Sequence, residues 1–422
     1  MKRYLFFSLI GLFVTAFLQN PARKLAAASL NNDPRVTRVM DVLRDTVADA
    51  NEEQVRITEI AAPPFHEATR AAYLKQLLSG AGLQTEMDST GNVIGEFPGK
   101  SQDIVLITAH LDTVFPAGTD VHVKKQGGRM LAPGISDNGT GLAALVMVAR
   151  AFREAKIKTN YTILFVADVG EEGEGNLRGI RALVDRYRQN LKYVIALDGA
   201  ATEYVTTAAV ASRRIEITIS GPGGHSWSDF GTPNPIHALG RGISRFVSSH
   251  VPEFPRSSFN IGLIEGGSSV NSIPTRAAMK IDLRSESEAE LGKLEGILRE
   301  SVRAGVDAEL QASRDRGIVG SNLLDLKVAV LGVRPAGELA ENSPLLAALL
   351  AADGQLGNRS RHERSSTDAN IPLSLGIPAI SLGAGGHSGG AHTTEEWFDP
   401  QGRELGLQRV ALTLLGVAGL EP

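Results

Sequence analysis

Three short apolar runs, at residues 103–108, 161–167 and 193–197, constrain this chain more than any other feature. Each is rich in Val, Ile, Leu or Tyr and stops at polar residues, the pattern of a strand covered on both faces. Helical periodicity fills the gaps between them, as at residues 141–152. Strands that alternate with helices imply an α/β fold with a mostly parallel sheet flanked by helices. The first run ends at His110-Leu111-Asp112, the second at Asp168-Val169-Gly170-Glu171-Glu172 and the third at Asp198. In open α/β sheets, ligands bind outside the carboxyl ends of the strands, so these polar groups share one edge.

The pattern changes after about residue 211. Residues 214–220 and 278–284 alternate polar and apolar, which describes a sheet with one solvated face. Helical stretches at 235–247 and 288–304 accompany them, and the α/β character returns near Arg334-Pro335. The reading is a discontinuous domain, 31–211 and 332–422, with an α+β insert at 212–331. A chain of 422 residues is long enough for two such units. Residues 33–69 have helical spacing broken at Pro63-Pro64.

Composition removes several alternatives. The formal charge of -4, with both signs mixed, argues against a nucleic-acid partner. Cysteine is absent, so no disulfide, thiolate nucleophile or sulfur ligand is available. Lys2 and Arg3 precede an apolar run at residues 4–18, and Ala26-Ala27-Ala28 follows before Ser29. That is the order of a signal peptide over residues 1–28. It implies export to the periplasm or medium, or an anchored chain if it stays uncleaved.

The polar clusters gain meaning together. A lone His-x-Asp such as His110 and Asp112 is an ordinary surface pair, and Asp137, near the start of the helix after Pro133-Gly134, reads alone as a helix cap. The Glu171-Glu172 pair alone is a solvated acidic turn. His387 and His392 lie in a glycine-rich loop at 386–397. Placed at one sheet edge, however, this set of imidazoles and carboxylates suits two zinc ions, with cobalt or manganese as alternatives. A shared carboxylate holds two such ions ~3.5–4 Å apart.

In that order the motifs resemble the two-zinc metallopeptidase family of peptidase T, glutamate carboxypeptidase, acetylornithine deacetylase and succinyl-diaminopimelate desuccinylase. The resemblance runs over nearly the whole chain after residue 30 and looks closest to peptidase T. It implies a zinc-exopeptidase-like fold with a lid and dimerisation domain. It also implies that Asp137 bridges both ions, that His110 and Asp198 complete one site, and that Glu172 and His392 complete the other. Glu171 would be the general base and Asp112 would orient His110. Ala391-His392-Thr393 with Glu396-Trp397 matches the terminal ligand motif, so His392 is favoured over His387, which reads as a rim or surface residue. In the insert, Gly223-Gly224-His225-Ser226 matches the lid motif, whose His stabilises the oxyanion, often in a partner subunit. Asn271 and Arg284 match lid residues that bind a substrate carboxylate. Asp368, in Ser366-Thr367-Asp368-Ala369-Asn370, has no ligand role. The Asn138-Gly139-Thr140-Gly141 stretch departs from the Asp-Lys-x-Gly of many relatives and leaves the subfamily open. The implied activity is cleavage of di- and tripeptides, with a homodimer through the lid. N-acyl amino-acid deacylation, glutamate carboxypeptidase action and a non-catalytic peptide binder are the alternatives.

Overall fold

The computed structural model describes residues 33–318, 320 and 323–422. The signal-peptide expectation for residues 1–28 lies outside the described residues. Three helices open the described chain: α1 (Pro34–Asp45), α2 (Val47–Thr58) and α3 (Ala68–Gly80). Asp33 caps α1 by accepting from the Arg35 N–H, and Pro34 supplies a pre-set φ at its first turn. The strands β1 (Gln84–Met87), β2 (Val93–Phe97) and β3 (Ser101–His110) follow, then α4 (Gly139–Glu154), β4 (Tyr161–Asp168), α5 (Arg178–Tyr187), β5 (Leu191–Leu197) and β6 (Tyr204–Ala209).

Two residues later, at Ala211, the chain enters a second sheet. This is built from β7 (Ala211–Ser220), β8 (Ser257–Gly266), β9 (Arg276–Ser285) and β10 (Asp325–Arg334), with α6 (Pro235–Val247) and α7 (Glu288–Asp315). It returns through β11 (Gly337–Glu338), α8 (Pro344–Leu356), β12 (Arg361–Ser365), α9 (Asn370–Ser374), β13 (Ala379–Leu382) and α10 (Arg403–Ala418).

The first sheet runs β1-β2-β4-β3-β5-β13-β6-β11, with β12 paired to β6. Its four central strands, β4, β3, β5 and β13, are mutually parallel. Toward the edges β1 with β2, β2 with β4, and β6 with β13 and β11 pair antiparallel, while β12 runs parallel to β6, so the sheet is mixed rather than mostly parallel. The parallel centre is what matters for the site, because it brings the carboxyl ends of β3, β4 and β5 to one edge. Those strands read as continuous apolar runs because helices cover them. Nearly every side chain of α4 is buried, and Leu142, Leu145, Phe152, Ile107 and Phe165 share the core. Each such side chain contributes about 1.5–3 kcal/mol on burial.

The second sheet runs β8-β9-β7-β10, antiparallel throughout. Alternation puts Ile215, Ile217 and Ile219 of β7 on one face, where they join Met279, Leu283, Phe246, Leu294 and Leu298 in a core of their own. Helix α7 is longer than its sequence periodicity suggested, reaching Asp315 rather than residue 304. Among the described residues no helix is long and apolar enough to cross a membrane.

Candidate metal centre

His110 is the last residue of β3 and is 1 % exposed. Its Nδ1 lies 3.0 Å from the main-chain carbonyl of Asp112. A donor hydrogen bond there fixes the tautomer and aims Nε2 outward. The sequence reading gave this orienting role to Asp112, but the carboxylate is 3.7 Å from Nδ1. That carboxylate instead accepts the N–H groups of Glu171, at 3.0 Å, and Glu172, at 2.8 Å. Strands β3 and β4 are parallel neighbours, so their outgoing loops run side by side. Asp112 thus orients His110 through its carbonyl and the Glu171-Glu172 corner through its side chain.

Asp137 is reached from the start of α4. Asn138, not Asp137, is the helix cap: its Oδ1 accepts from the Gly141 N–H at 3.1 Å, and its amide donates to the Leu197 carbonyl at 2.7 Å. Gly141 is required there, since a Cβ would fall 2.3 Å from Asn138 Oδ1. With capping delegated, the Asp137 carboxylate is free to span two imidazoles. Its Oδ1 lies 3.1 Å from His110 Nε2 and its Oδ2 3.1 Å from His392 Nε2. His392 Nε2 is also 3.0 Å from Glu172 Oε1. His392 is exposed and sits at φ 66, a left-handed conformation uncommon for a residue other than glycine.

The donor atoms of His110, Asp137 and Glu172 all lie within 4.8 Å of one another. Asp137 Oδ1 is buried without a hydrogen-bond partner despite its nearness to His110. An orphaned acceptor facing an imidazole nitrogen, in a set without sulfur, fits a divalent cation of the zinc type. Asp198 follows β5 and is coupled electrostatically to Asp137, His110, Glu172 and His392.

The titration behaviour shows a negative potential. Burial and the Asp137 charge push Asp198 up to about 7. Burial pushes Glu171 up to about 8, with the Arg334 guanidinium opposing it. Hydrogen bonds to Asp137 and Glu172 raise His392 to about 10. His110 is raised against its burial by Asp112 and Asp137. Acids and bases shifted upward together mark an excess of negative charge, which a cation relieves. Asp137 moves the other way: burial opposes its ionisation, but the flanking His110 and His392 hold it well below the usual range.

Two residues that sequence reasoning missed support this cluster. The buried Glu396 accepts the N–H groups of Gly134 at 2.8 Å, Ser136 at 2.8 Å and Asp137 at 2.9 Å, which pins the loop that carries Asp137. Its place in the Glu-Glu-Trp motif was the available signal. Arg334, 5 % exposed, donates to Glu171 Oε1 at 2.8 Å. A lone Arg before Pro335 gives no such signal.

The insert's residues are not drawn into the cluster. His225 is exposed, and its Nδ1 accepts from Trp227 and Ser228 of its own turn. Asn271 is its neighbour, since the Ser226 N–H donates to the Asn271 carbonyl at 3.0 Å. Arg284 pairs with Asp282 at 2.6 Å. Asp282 also faces Arg214 at 3.8 Å, and Arg214 donates to the Gly173 carbonyl beside Glu172. His387 is exposed and faces Glu203 at 3.8 Å. Asp368 is buried against Asp168, within reach of the charges of Glu171 and His110.

The sequence profile of peptidase family M20/M25/M40 matches residues 106–415, the span that holds every element of this cluster. The chain belongs to that family. It is 27 % identical over 227 residues to a succinyl-diaminopimelate desuccinylase of Coxiella burnetii, a match over 49 % of this chain and 60 % of the relative. The chain therefore spans about three-fifths of the length of that curated relative. Its fold is shared with the aminopeptidase PepT of Bacillus cereus, at TM-score 0.67 and 23 % identity over 88 % of this chain and 99 % of that one. It is shared as well with a Bacillus subtilis protein described as a dinuclear metal binding peptidase of the M20 family. That match has TM-score 0.63 and 16 % identity over 89 % of this chain and 99 % of the other.

Proposed function

We propose that this protein is a two-zinc exopeptidase that hydrolyses the amide bonds of di- and tripeptides. The observation that carries the reading is the Asp137 carboxylate, whose two oxygens each lie 3.1 Å from a different imidazole, His110 and His392. These residues come from opposite ends of the matched span, and a carboxylate so placed is built to bridge two cations.

In this reading Asp137 would be shared by two metals, His110 and Asp198 would hold one, and Glu172 and His392 would hold the other. When bound, the metals lower the pKa of a water and polarise the amide carbonyl. Glu171 is kept out of the ligand set by its pairing with Arg334 rather than with an imidazole. It is therefore the carboxylate available to take the water's proton and hand it to the leaving amine. Asp112 fixes both ends of this arrangement, His110 by its carbonyl and Glu171 by its side chain. His225, Asn271 and Arg284 would meet the substrate's oxyanion and carboxylate from the insert, the domain read as a lid over residues 212–331.

The His225 side chain makes its polar contacts within its own loop, so the reading assigns it to the site of a second copy. The insert offers a surface for that copy. Strand β8 is an edge of its sheet with Leu263 and Ile264 exposed, and Trp227, Phe230 and Val270 are exposed elsewhere in the insert. Apolar exposure of this kind on an unpaired edge suits association. A leader read at residues 1–28 would put such an enzyme outside the cytoplasm, as a scavenger of small peptides. The desuccinylase relative favours a second reading, N-acyl amino-acid deacylation by the same site.

The test is elemental analysis joined to a panel of di- and tripeptides and N-acyl amino acids, before and after chelation. About two zinc ions per chain and chelator-sensitive peptide cleavage support the proposal. Cleavage of acyl-amino acids alone moves it to the deacylase. Glu171→Gln should keep its metal and lose about 10²–10⁴-fold in turnover. Wild-type turnover in that variant would sink the general-base assignment.

A further inference from the structure

Glu171 is 5 % exposed, and a buried carboxylate needs hydrogen-bond partners, which also set its orientation. Among the described residues the only side chain that donates to it is that of Arg334. The contact is two-pronged. Nη1 reaches Oε1 at 2.8 Å, and Nη2 donates to the Glu171 main-chain carbonyl. Nη1 also reaches Ser366 Oγ at 3.1 Å. A guanidinium fork that grips both the carboxylate and the backbone of one residue fixes its rotamer as well as its charge.

The backbone that carries Arg334 is itself immobilised on both sides. On one side, the Val333 N–H donates to Asn176 Oδ1 at 2.9 Å, and Arg181 donates to the Val333 carbonyl. On the other, the Pro335 carbonyl accepts from Asn370 Nδ2 at 2.9 Å. The same amide donates to the Val210 carbonyl at 2.9 Å. Val210 and Pro335 are the two places where the chain crosses between the sheets, so one buried side chain clasps both crossings. Arg334 is therefore held by the crossing and not by the far end of the insert. Being 5 % exposed, with its terminal nitrogens engaged, it is poorly placed to bind a substrate carboxylate.

We propose that Arg334 is the positioning residue of the general base: it holds Glu171 Oε1 and the Glu171 carbonyl, so that the other carboxylate oxygen faces the water to be deprotonated. This rests on the reading of Glu171 as base given above. A charge balance supports it. Asp137 is flanked by two imidazoles, whereas Glu171 is gripped by the Arg334 guanidinium, which sets it apart from the ligand cluster.

The test is a cycle of Arg334→Gln, Arg334→Lys, Glu171→Gln and the double variant Arg334→Gln with Glu171→Gln, on metal-loaded full-length protein. Metal content and thermal unfolding are measured alongside kcat and KM. Arg334→Gln should lower kcat about 10–100-fold, the range for partners that orient a reacting group, with KM little changed and metal content intact. Arg334→Lys should recover part of the loss, because an ammonium cannot reproduce the fork. The double variant should be no slower than Glu171→Gln alone, since both changes remove one function. A wild-type kcat in folded Arg334→Gln or Arg334→Lys overturns the proposal. So does a loss that appears only in KM, a loss of metal, or full additivity in the double variant. If Arg334→Gln does not fold, the Arg334→Lys kcat decides. Retained turnover in Glu171→Gln instead removes the base reading itself, which separates the two failures.

Discussion

The loops at the carboxyl edge of the first sheet and the His225–Asn271 loops of the insert both carry family motifs, yet they are built in opposite ways. At the sheet edge, His110, Asp112, Glu171 and Glu172 are all at most 6 % exposed, and each is fixed by a hydrogen bond or ion pair to another member. In the insert, His225 and Asn271 are exposed, bonded to their own turns, and flanked by Trp227 at 87 % exposure. A buried polar network has to be satisfied within the chain, because an unpaired buried charge costs several kcal/mol. An exposed loop is under no such constraint and can wait for a second body. One region is satisfied within the chain; the other, in the reading proposed above, would be half of a contact.

That contrast can be broken at its strongest point first. Asp137→Ala removes the carboxylate between the two imidazoles, and it should abolish turnover and cut the bound metal to about one ion or none. Elemental analysis of the purified variant checks this; two tightly held ions would show that the cluster does not depend on its centre. Next comes Glu396→Gln, which keeps a carbonyl acceptor but weakens the grip on the Asp137 loop. A loss of about 10–100-fold in metal affinity is expected, read by competition with a chromophoric chelator. Unchanged affinity would mean that the loop holds its shape without Glu396.

The insert is probed by mixing. His225→Ala and Asp137→Ala should each be inactive alone, while their mixture should regain activity, because a hybrid pair contains one intact site. No recovery, together with a monomeric mass by light scattering, would end the half-contact reading. The smallest effect is expected at the surface pair between the units, where Lys280 meets Glu174 at 2.8 Å. With both side chains largely solvated, Lys280→Ala should change stability by less than ~1 kcal/mol in chemical denaturation. A larger loss would mean that the insert is docked through that pair rather than through Arg214, Asn176 and Arg181.

The sequence by itself determined the elements and the chemistry. The apolar runs at β3, β4 and β5 specify covered strands, the alternation in β7 and β9 specifies a half-solvated second sheet, and the clusters at His110, Asp137, Glu171-Glu172 and Asp198 fall at the end of a strand or the start of a helix. Periodicity records which residues are buried, and burial of apolar surface is the dominant driving force of folding, so this much is legible in one dimension. Tertiary structure decided who holds whom. Asp112 divides its carbonyl and its carboxylate between His110 and the Glu171-Glu172 corner, Asn138 takes the cap and frees Asp137, and Glu396 and Arg334 reach the site from 259 and 163 positions away. Hydrogen bonds and ion pairs act over about 3 Å and depend on direction. Their partners are therefore set by how the strands pack side by side, a relation that no spacing along the chain records.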